Sequence, residues 1–291
     1  WAERCGGPSG LAPSPMKTAD AIAIDAHGHF YPGFDARSFV DSAHAHLAKA
    51  VARCGHKAAA GVVFVLGTSA GPPDGFGRLK AAVEAGALAP TAWRTRPTAE
   101  PVSLCLERPR GGRLVVVAGR QVVSGENLEV LALGTRNQFV AGEATETLIC
   151  RIARAGGLPV VPWGVGKWLG RRGERVRGLL ENAAALPPFF VGDNANRPAL
   201  WPRSSHFQTA AVRGIKNLPG TDPLPFPRDA RRVGRFGTIL RGRLDPERPA
   251  HHLRHRLLEP STTLRPFGCG ASTLRFVRHQ LRLQLRSRLQ S

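Results

Sequence analysis

Acidic residues are scarce in this 291-residue chain: 21 Asp and Glu stand against 41 Lys and Arg, a net charge of +20 at neutral pH. An acidic or disordered solvating protein is thereby excluded. Long apolar runs are missing too. No stretch approaches the roughly 18–20 apolar residues a membrane helix needs, and the longest, around 61–66, has strand length. Paired cysteines are absent as well. Cys5, Cys54, Cys105, Cys150 and Cys269 lie scattered with no C-x-x-C, which argues against a disulfide framework or zinc knuckle and for a reducing cytoplasm. Neither a G-x-S-x-G frame nor a catalytic cysteine signature occurs, so covalent catalysis has no sequence support. Zinc-finger spacing and helix-turn-helix cues are also wanting. The single methionine, Met16, precedes Lys17 and an apolar strand pattern. Met16 is therefore expected to be the natural start, and 1–15, rich in Gly, Pro and Ser, a disordered extension without the apolar core of a signal peptide.

What is present suffices for a full core: 42% of residues are hydrophobic. Apolar, β-branched runs at 21–30, 61–69, 102–107, 128–135, 158–164, 188–194 and 214–222 read as strands. Between several of them, 39–53, 77–87, 143–155, 171–185 and 205–213 carry helical period. This alternation predicts an α/β, TIM-barrel-like fold of about seven parallel βα units over 16–227. Residues 112–123 read as an inserted β-hairpin around Ala118-Gly119. The remainder, 228–291, reads as a basic, partly helical C-terminal extension. Its end carries Leu274, Val277, Leu281 and Leu285 beside Arg275, Arg278, Arg282 and Arg286, the pattern of an amphipathic helix.

Charge is unevenly placed, with 15 basic against 12 acidic residues in 1–145 and 26 against 9 in 146–291. Only six of the basic residues are Lys, an arginine bias that a GC-rich genome produces without functional cause. The alternative is a role in binding anions, nucleic acid included.

The sharpest local signal is Asp25-Ala26-His27-Gly28-His29 at the end of the first strand. Alternate residues of a strand share a face, so His27 and His29 can offer two imidazoles to one metal ion, and Asp25 shares their parity. The last strand ends in Gly220-Thr221-Asp222, a carboxylate able to ligate a metal or take a proton. Glu129 or Glu126, at the fourth strand, could join it. After another strand come Trp163 and the Gly-rich stretch around Lys167 and Trp168, where a cation and two indoles could hold an organic anion. Asp193, Asn194 and Arg197 cluster at the next strand end, and His206 opens a helix-like stretch. A barrel gathers strand ends into one pocket, which makes these clusters a candidate site.

An H-x-H on the first strand with G-[ST]-D at the last resembles the metal-dependent hydrolases of the amidohydrolase superfamily and the PHP (polymerase and histidinol phosphatase) family, over roughly 22–222. That resemblance implies a TIM-type barrel, with His27 and His29 binding a divalent metal such as Zn, Mn or Fe, and Asp222 binding it or serving as base. The middle strands 158–164 and 188–194 contain no histidine, so the resemblance implies one metal rather than two. Leu224 stands where PHP proteins carry a further His. The expected function is metal-dependent hydrolysis of a small anionic ester, amide or phosphoester. Asp222 or Glu129 would handle the proton, Lys167 would favour the anion, and Trp163, Trp168, Asp193, Asn194 and Arg197 would bind substrate. The other expectation is a noncatalytic basic protein that binds anions or nucleic acid on a similar scaffold.

Overall fold

The computed structural model describes residues 20–68, 74–89, 91–109, 111–274 and 276–278. The expected N-terminal extension at 1–15 and most of the expected C-terminal amphipathic helix lie outside them. Ten strands form one sheet: β1 (Asp20–Gly28), β2 (Lys57–Thr68), β3 (Arg94–Arg96), β4 (Ser103–Glu107), β5 (Arg113–Val123), β6 (Glu129–Leu133), β7 (Leu158–Pro162), β8 (Phe190–Gly192), β9 (Gly237–Arg241) and β10 (Arg265–Phe267). The helices are α1 (Ala36–Arg53), α2 (Gly75–Glu84), α3 (Thr145–Arg154), α4 (Gly170–Glu181), α5 (His206–Val212) and α6 (Pro249–Leu258).

Sequence patterning explains most of these elements. In α1, Phe39, Val40, Ala43, Leu47, Ala50 and Val51 recur at steps of three and four and are buried. Its start is fixed by Asp35, whose carboxylate accepts the Ser38 N–H at 2.7 Å. In β1, Ala21 and Ala23 pack toward α1, while Ile22, Ile24 and Ala26 face the other core. A third apolar cluster joins β6 and β7 to α3, α4 and α5. No helix among the described residues is long and apolar enough to cross a membrane.

The topology corrects the expectation of a barrel of seven parallel βα units. The sheet is mixed and curls into a half-barrel, in the order β10-β9-β1-β2-β5-β6-β7-β8, with β4 pairing β5 and β3 pairing β4. Strands β1, β2 and β5 run parallel, and so do β7 and β8, but β6 is antiparallel to both β5 and β7. The reason lies in the linker. Only 124–128 separate β5 from β6, far short of the dozen or more residues a parallel crossover needs, so the pair closes as a hairpin.

The hairpin expected within 112–123 is likewise replaced by one continuous strand, β5. Gly119, read as its turn, is a point of close approach instead: a Cβ there would lie 2.6 Å from Leu66 Cδ2 and 3.0 Å from the Ala132 carbonyl oxygen. The segment 214–222 forms no strand. It bridges parallel to β8 at Asn217 and to Asn194 at Gly220, and on its other side the Ala26 N–H donates to the Pro219 carbonyl at 3.2 Å. It therefore lies between β8 and the end of β1. Residues beyond 228 contribute β9, antiparallel to β1, and α6, whose Leu253 and Leu257 enter the second core.

These directions place the C-terminal ends of β1, β2, β5, β7 and β8 at one end of the sheet. Because β6 runs the other way, Glu129 at its start belongs to that same end.

Candidate metal centre

Beyond Ile24 the apolar core of β1 gives way to Asp25, His27 and His29, all buried. The pairing of β1 with β2 slips between Asp25 and Gly28, so the simple alternation that would group Asp25 with the histidines is broken. His27 and His29 stay together, with ring centroids 5.2 Å apart. Asp222 Oδ1 reaches them from the 214–222 segment, 3.5 Å from His27 Nε2 and 3.8 Å from His29 Nε2. One ligand atom from each of the three lies within 4.8 Å of the others.

Several features hold this geometry. The Asp222 N–H donates to the His27 carbonyl at 2.6 Å, tying one ligand's backbone to the other's. Asp222 has φ 49°, a left-handed conformation that Asp tolerates better than most residues. Asn196 Nδ2 donates to the Asp222 carbonyl at 2.7 Å and to Oδ2 at 3.2 Å, and Asn194 Nδ2 donates to Oδ2 at 3.2 Å. Oδ2 is thus occupied, and Oδ1 is left facing the imidazoles. Gly220 completes the fit: a Cβ there would sit 2.1 Å from His27 N, so only glycine allows the segment so close to β1.

Asp25 works behind the cluster rather than in it. Fully buried, its carboxylate accepts from Thr221 N (2.8 Å), Thr221 Oγ1 (2.6 Å), Gly234 N (2.8 Å) and His27 N (3.2 Å). It pins the backbone of Thr221 and of Gly234, from two distant segments, and that of one metal-facing histidine. Burial pushes the Asp25 carboxyl above its usual range, and the four hydrogen bonds oppose that shift.

The donor set suits a divalent cation. His27 Nε2 is buried with no hydrogen-bond partner, an arrangement that costs free energy unless something electrophilic lies before it. Burial lowers the His29 pKa to about 4; the nearby His27 adds to this, while Asp222 and the Leu66 carbonyl resist it. The imidazole is therefore neutral at pH 7, the form that ligates metals. Two imidazoles and a carboxylate match the ligand chemistry of Zn, Mn or Fe.

Beside Asp222 opens a cavity of about 230 Å³, walled in part by Glu129, Trp163, Lys167, Asn194, Asn196 and Phe276. Lys167 Nζ is ion-paired with Glu129 Oε1, so its charge enters the cavity partly compensated. The remaining sequence candidates lie elsewhere. Trp168 is buried in the third core, its indole N–H on the Pro162 carbonyl at 3.1 Å and its ring against Phe207. Asp193 and Arg197 form a two-pronged pair, 3.0 Å on each prong, that braces the 193–197 turn. Glu126 accepts from Thr145 N and Oγ1 at the start of α3. His206 bonds Ser204 Oγ and the Gly173 carbonyl. Sequence reasoning missed Asn196 and the bracing role of Asp25. The spacing Asn194-x-Asn196 at a strand end was the available signal for the first.

The sequence matches no family profile and no curated protein. Among solved structures, PsfC from Pseudomonas syringae PB-5123 aligns with a TM-score of 0.53 at 12% identity, over 91% of this chain and 98% of that one. That likeness is one of fold. The lesion-specific endonuclease PfuEndoQ from Pyrococcus furiosus aligns at 0.47 and 11% identity over 84% of this chain and 57% of its own. Endonuclease Q in complex with a 27-mer duplex bearing an abasic lesion aligns at 0.48 and 10% over 81% of this chain and 56% of its own.

Proposed function

We propose that the protein is a metal-dependent hydrolase acting on a small, anionic ester, amide or phosphoester. The convergence of His27, His29 and Asp222, with His27 Nε2 buried and unpartnered, carries this reading. A divalent ion held by these three residues supplies a Lewis acid that lowers the pKa of water. The chain's own groups do the rest. Asn194 and Asn196 orient Asp222, and Asp25 fixes His27 and Thr221 so that the ligand atoms need not reorganise on binding. Glu129, on the cavity wall with Asp222 and ion-paired with Lys167, is the further carboxylate assigned to take a proton. Lys167 orients the anionic part of the substrate, and Trp163 lines the cavity beside it. A cavity of about 230 Å³ admits only a small group, which favours a compact substrate or the end of a larger one.

The test is elemental analysis of protein purified without chelator, comparing the parent with the His27→Ala/His29→Ala double variant. About one metal per chain is expected in the parent and none in the variant, with metal-dependent turnover of a panel of anionic esters and phosphoesters lost in parallel. Absence of metal from the parent, even after reconstitution with Zn, Mn and Fe, would make the histidines structural and leave a noncatalytic anion-binding protein.

A further inference from the structure

Away from the metal-facing histidines, a groove of about 520 Å³ runs between the last two turns of α1 and the segment 267–270. Lys49, Arg53 and Arg235 line it, and none of its lining residues is acidic. A second groove, of about 580 Å³ near the start of β1, is lined by four cations, of which all but Lys57 are paired with a carboxylate. There Arg113 pairs with Glu107 at 2.7 Å, Arg243 with Asp20 and Arg108 with Asp41. The cations of the α1 groove have no such carboxylate partner among the described residues.

The arrangement is also partly built. A carbonyl oxygen can only accept, so His46 Nδ1 carries the proton it donates to Val233 O at 2.8 Å. His46 Nε2 is then an acceptor, and Arg235 Nε donates to it at 3.1 Å. That bond fixes Arg235 by one nitrogen and leaves its two terminal nitrogens without a protein partner among the described residues. Burial lowers the His46 pKa, and the neighbouring Arg235 and Lys49 add to the shift, as a concentrated positive field must. Arg53 alone has a local explanation, since cations in the last turn of a helix complement its dipole. Lys49, a turn earlier, has none, and Arg235, from another segment, is accounted for only at Nε by its bond to His46.

Lys49 and Arg53 stand four residues apart on one helix face, about 6 Å along the axis, so their long side chains can close on one anionic group from the same side. We propose that this groove binds the diphosphate group of an organic ligand, with Lys49 and Arg53 on one side and Arg235 on the other. Phe267, half-buried in the opposite wall, offers an apolar surface for the organic part. The Arg235 guanidinium supplies charge-assisted hydrogen bonds and the Lys49 ammonium a point charge.

Cys54 and Cys269 line the same groove and report on its occupancy. Calorimetric titration with inorganic pyrophosphate and with ADP is run on the parent, on Lys49→Gln/Arg53→Gln and on Arg235→Gln. Alkylation of Cys269 by iodoacetamide is followed in parallel by peptide mass. Because pyrophosphate can also seek a metal, each titration is repeated in the His27→Ala/His29→Ala background. There binding must persist, which separates this site from the metal reading. Expected are binding of both ligands to the parent, at least tenfold weakening in each groove variant at unchanged unfolding temperature, and slower Cys269 alkylation that the variants abolish. Failure of pyrophosphate and ADP to bind, or binding that the groove variants leave intact, overturns the proposal. So does a single-stranded oligonucleotide that protects Cys269 where pyrophosphate does not, because the groove would then be part of a polyanion surface.

Discussion

The parallel strands β1, β2 and β5 and the turns that meet beyond their ends are built on opposite terms. Within the strands, residues such as Ile22, Val63, Leu114 and Val116 are fully buried, and each contributes area to a cluster with many members. Such a layer is stabilised by amount: the loss of one member costs roughly its own transfer and cavity energy and moves little else. Where β1 ends and the turns meet it, Asp25, Thr221, Asp222, Asn194 and Asn196 form a lattice of hydrogen bonds, in which each polar atom has particular partners and a fixed direction. That region is specified by identity. Changes in the two regions should therefore separate stability from metal binding.

The largest expected effect on stability lies in the apolar layer. Leu114, fully buried, stands opposite Gly61, four residues down β2 from Val65, the partner of Gly28; the offset is about 13 Å from the histidines' end. Leu114→Ala should cost about 3–5 kcal/mol in denaturant unfolding while the folded protein keeps its full metal content. If metal is lost as well at full folding, the two regions are coupled through the strands and the contrast fails.

Gly220→Ala attacks the join between them. A methyl group 2.1 Å from His27 N and 2.7 Å from its Cα meets backbone that no side-chain rotation can clear, so the 214–222 segment must move away from β1. The expected loss is about 3 kcal/mol in stability together with the metal, read by unfolding midpoint and elemental analysis on the same sample. A variant that folds with undiminished stability and normal metal content would show that the close approach is not required.

This contrast also accounts for what the sequence disclosed. The apolar layer was legible because burial repeats along the chain: the period of α1 and the β-branched runs of β1, β2 and β7 identify elements whatever their neighbours. Direction was not legible. A five-residue apolar strand such as β6 reads the same both ways, and only the short 124–128 linker argued for a hairpin. Gly119 misled because glycine serves turns and close contacts alike. In the lattice, His27, His29 and Asp222 stood out by residue type at strand ends. Asn196 did not, and Asp25 stood out only by sharing the histidines' parity, since the partners that give them a bracing role lie as far as 26 and 209 positions away. Trp168 and the pair Asp193–Arg197 were singled out for the same chemistry, yet their polar atoms are spent on packing and on each other.

The smallest expected change in stability belongs to Asn196→Ala, and it sharpens the comparison most. The substitution removes donors to the Asp222 carbonyl and to Oδ2, but it also removes Asn196 Oδ1, a buried acceptor with no partner. The two effects oppose each other, so the net cost should be about 1 kcal/mol or less, a fall of roughly 2 °C in unfolding temperature. Asp222 Oδ2 would retain only the 3.2 Å bond from Asn194, and the carboxylate could rotate out of line with the histidines. Metal affinity should therefore fall about 10–100-fold by competition with a chromophoric chelator, the usual cost of losing a residue that orients a ligand. Unchanged affinity would mean that the left-handed backbone at Asp222 and its bond to the His27 carbonyl suffice to hold Oδ1 in place. The lattice would then be redundant in the way the apolar layer is.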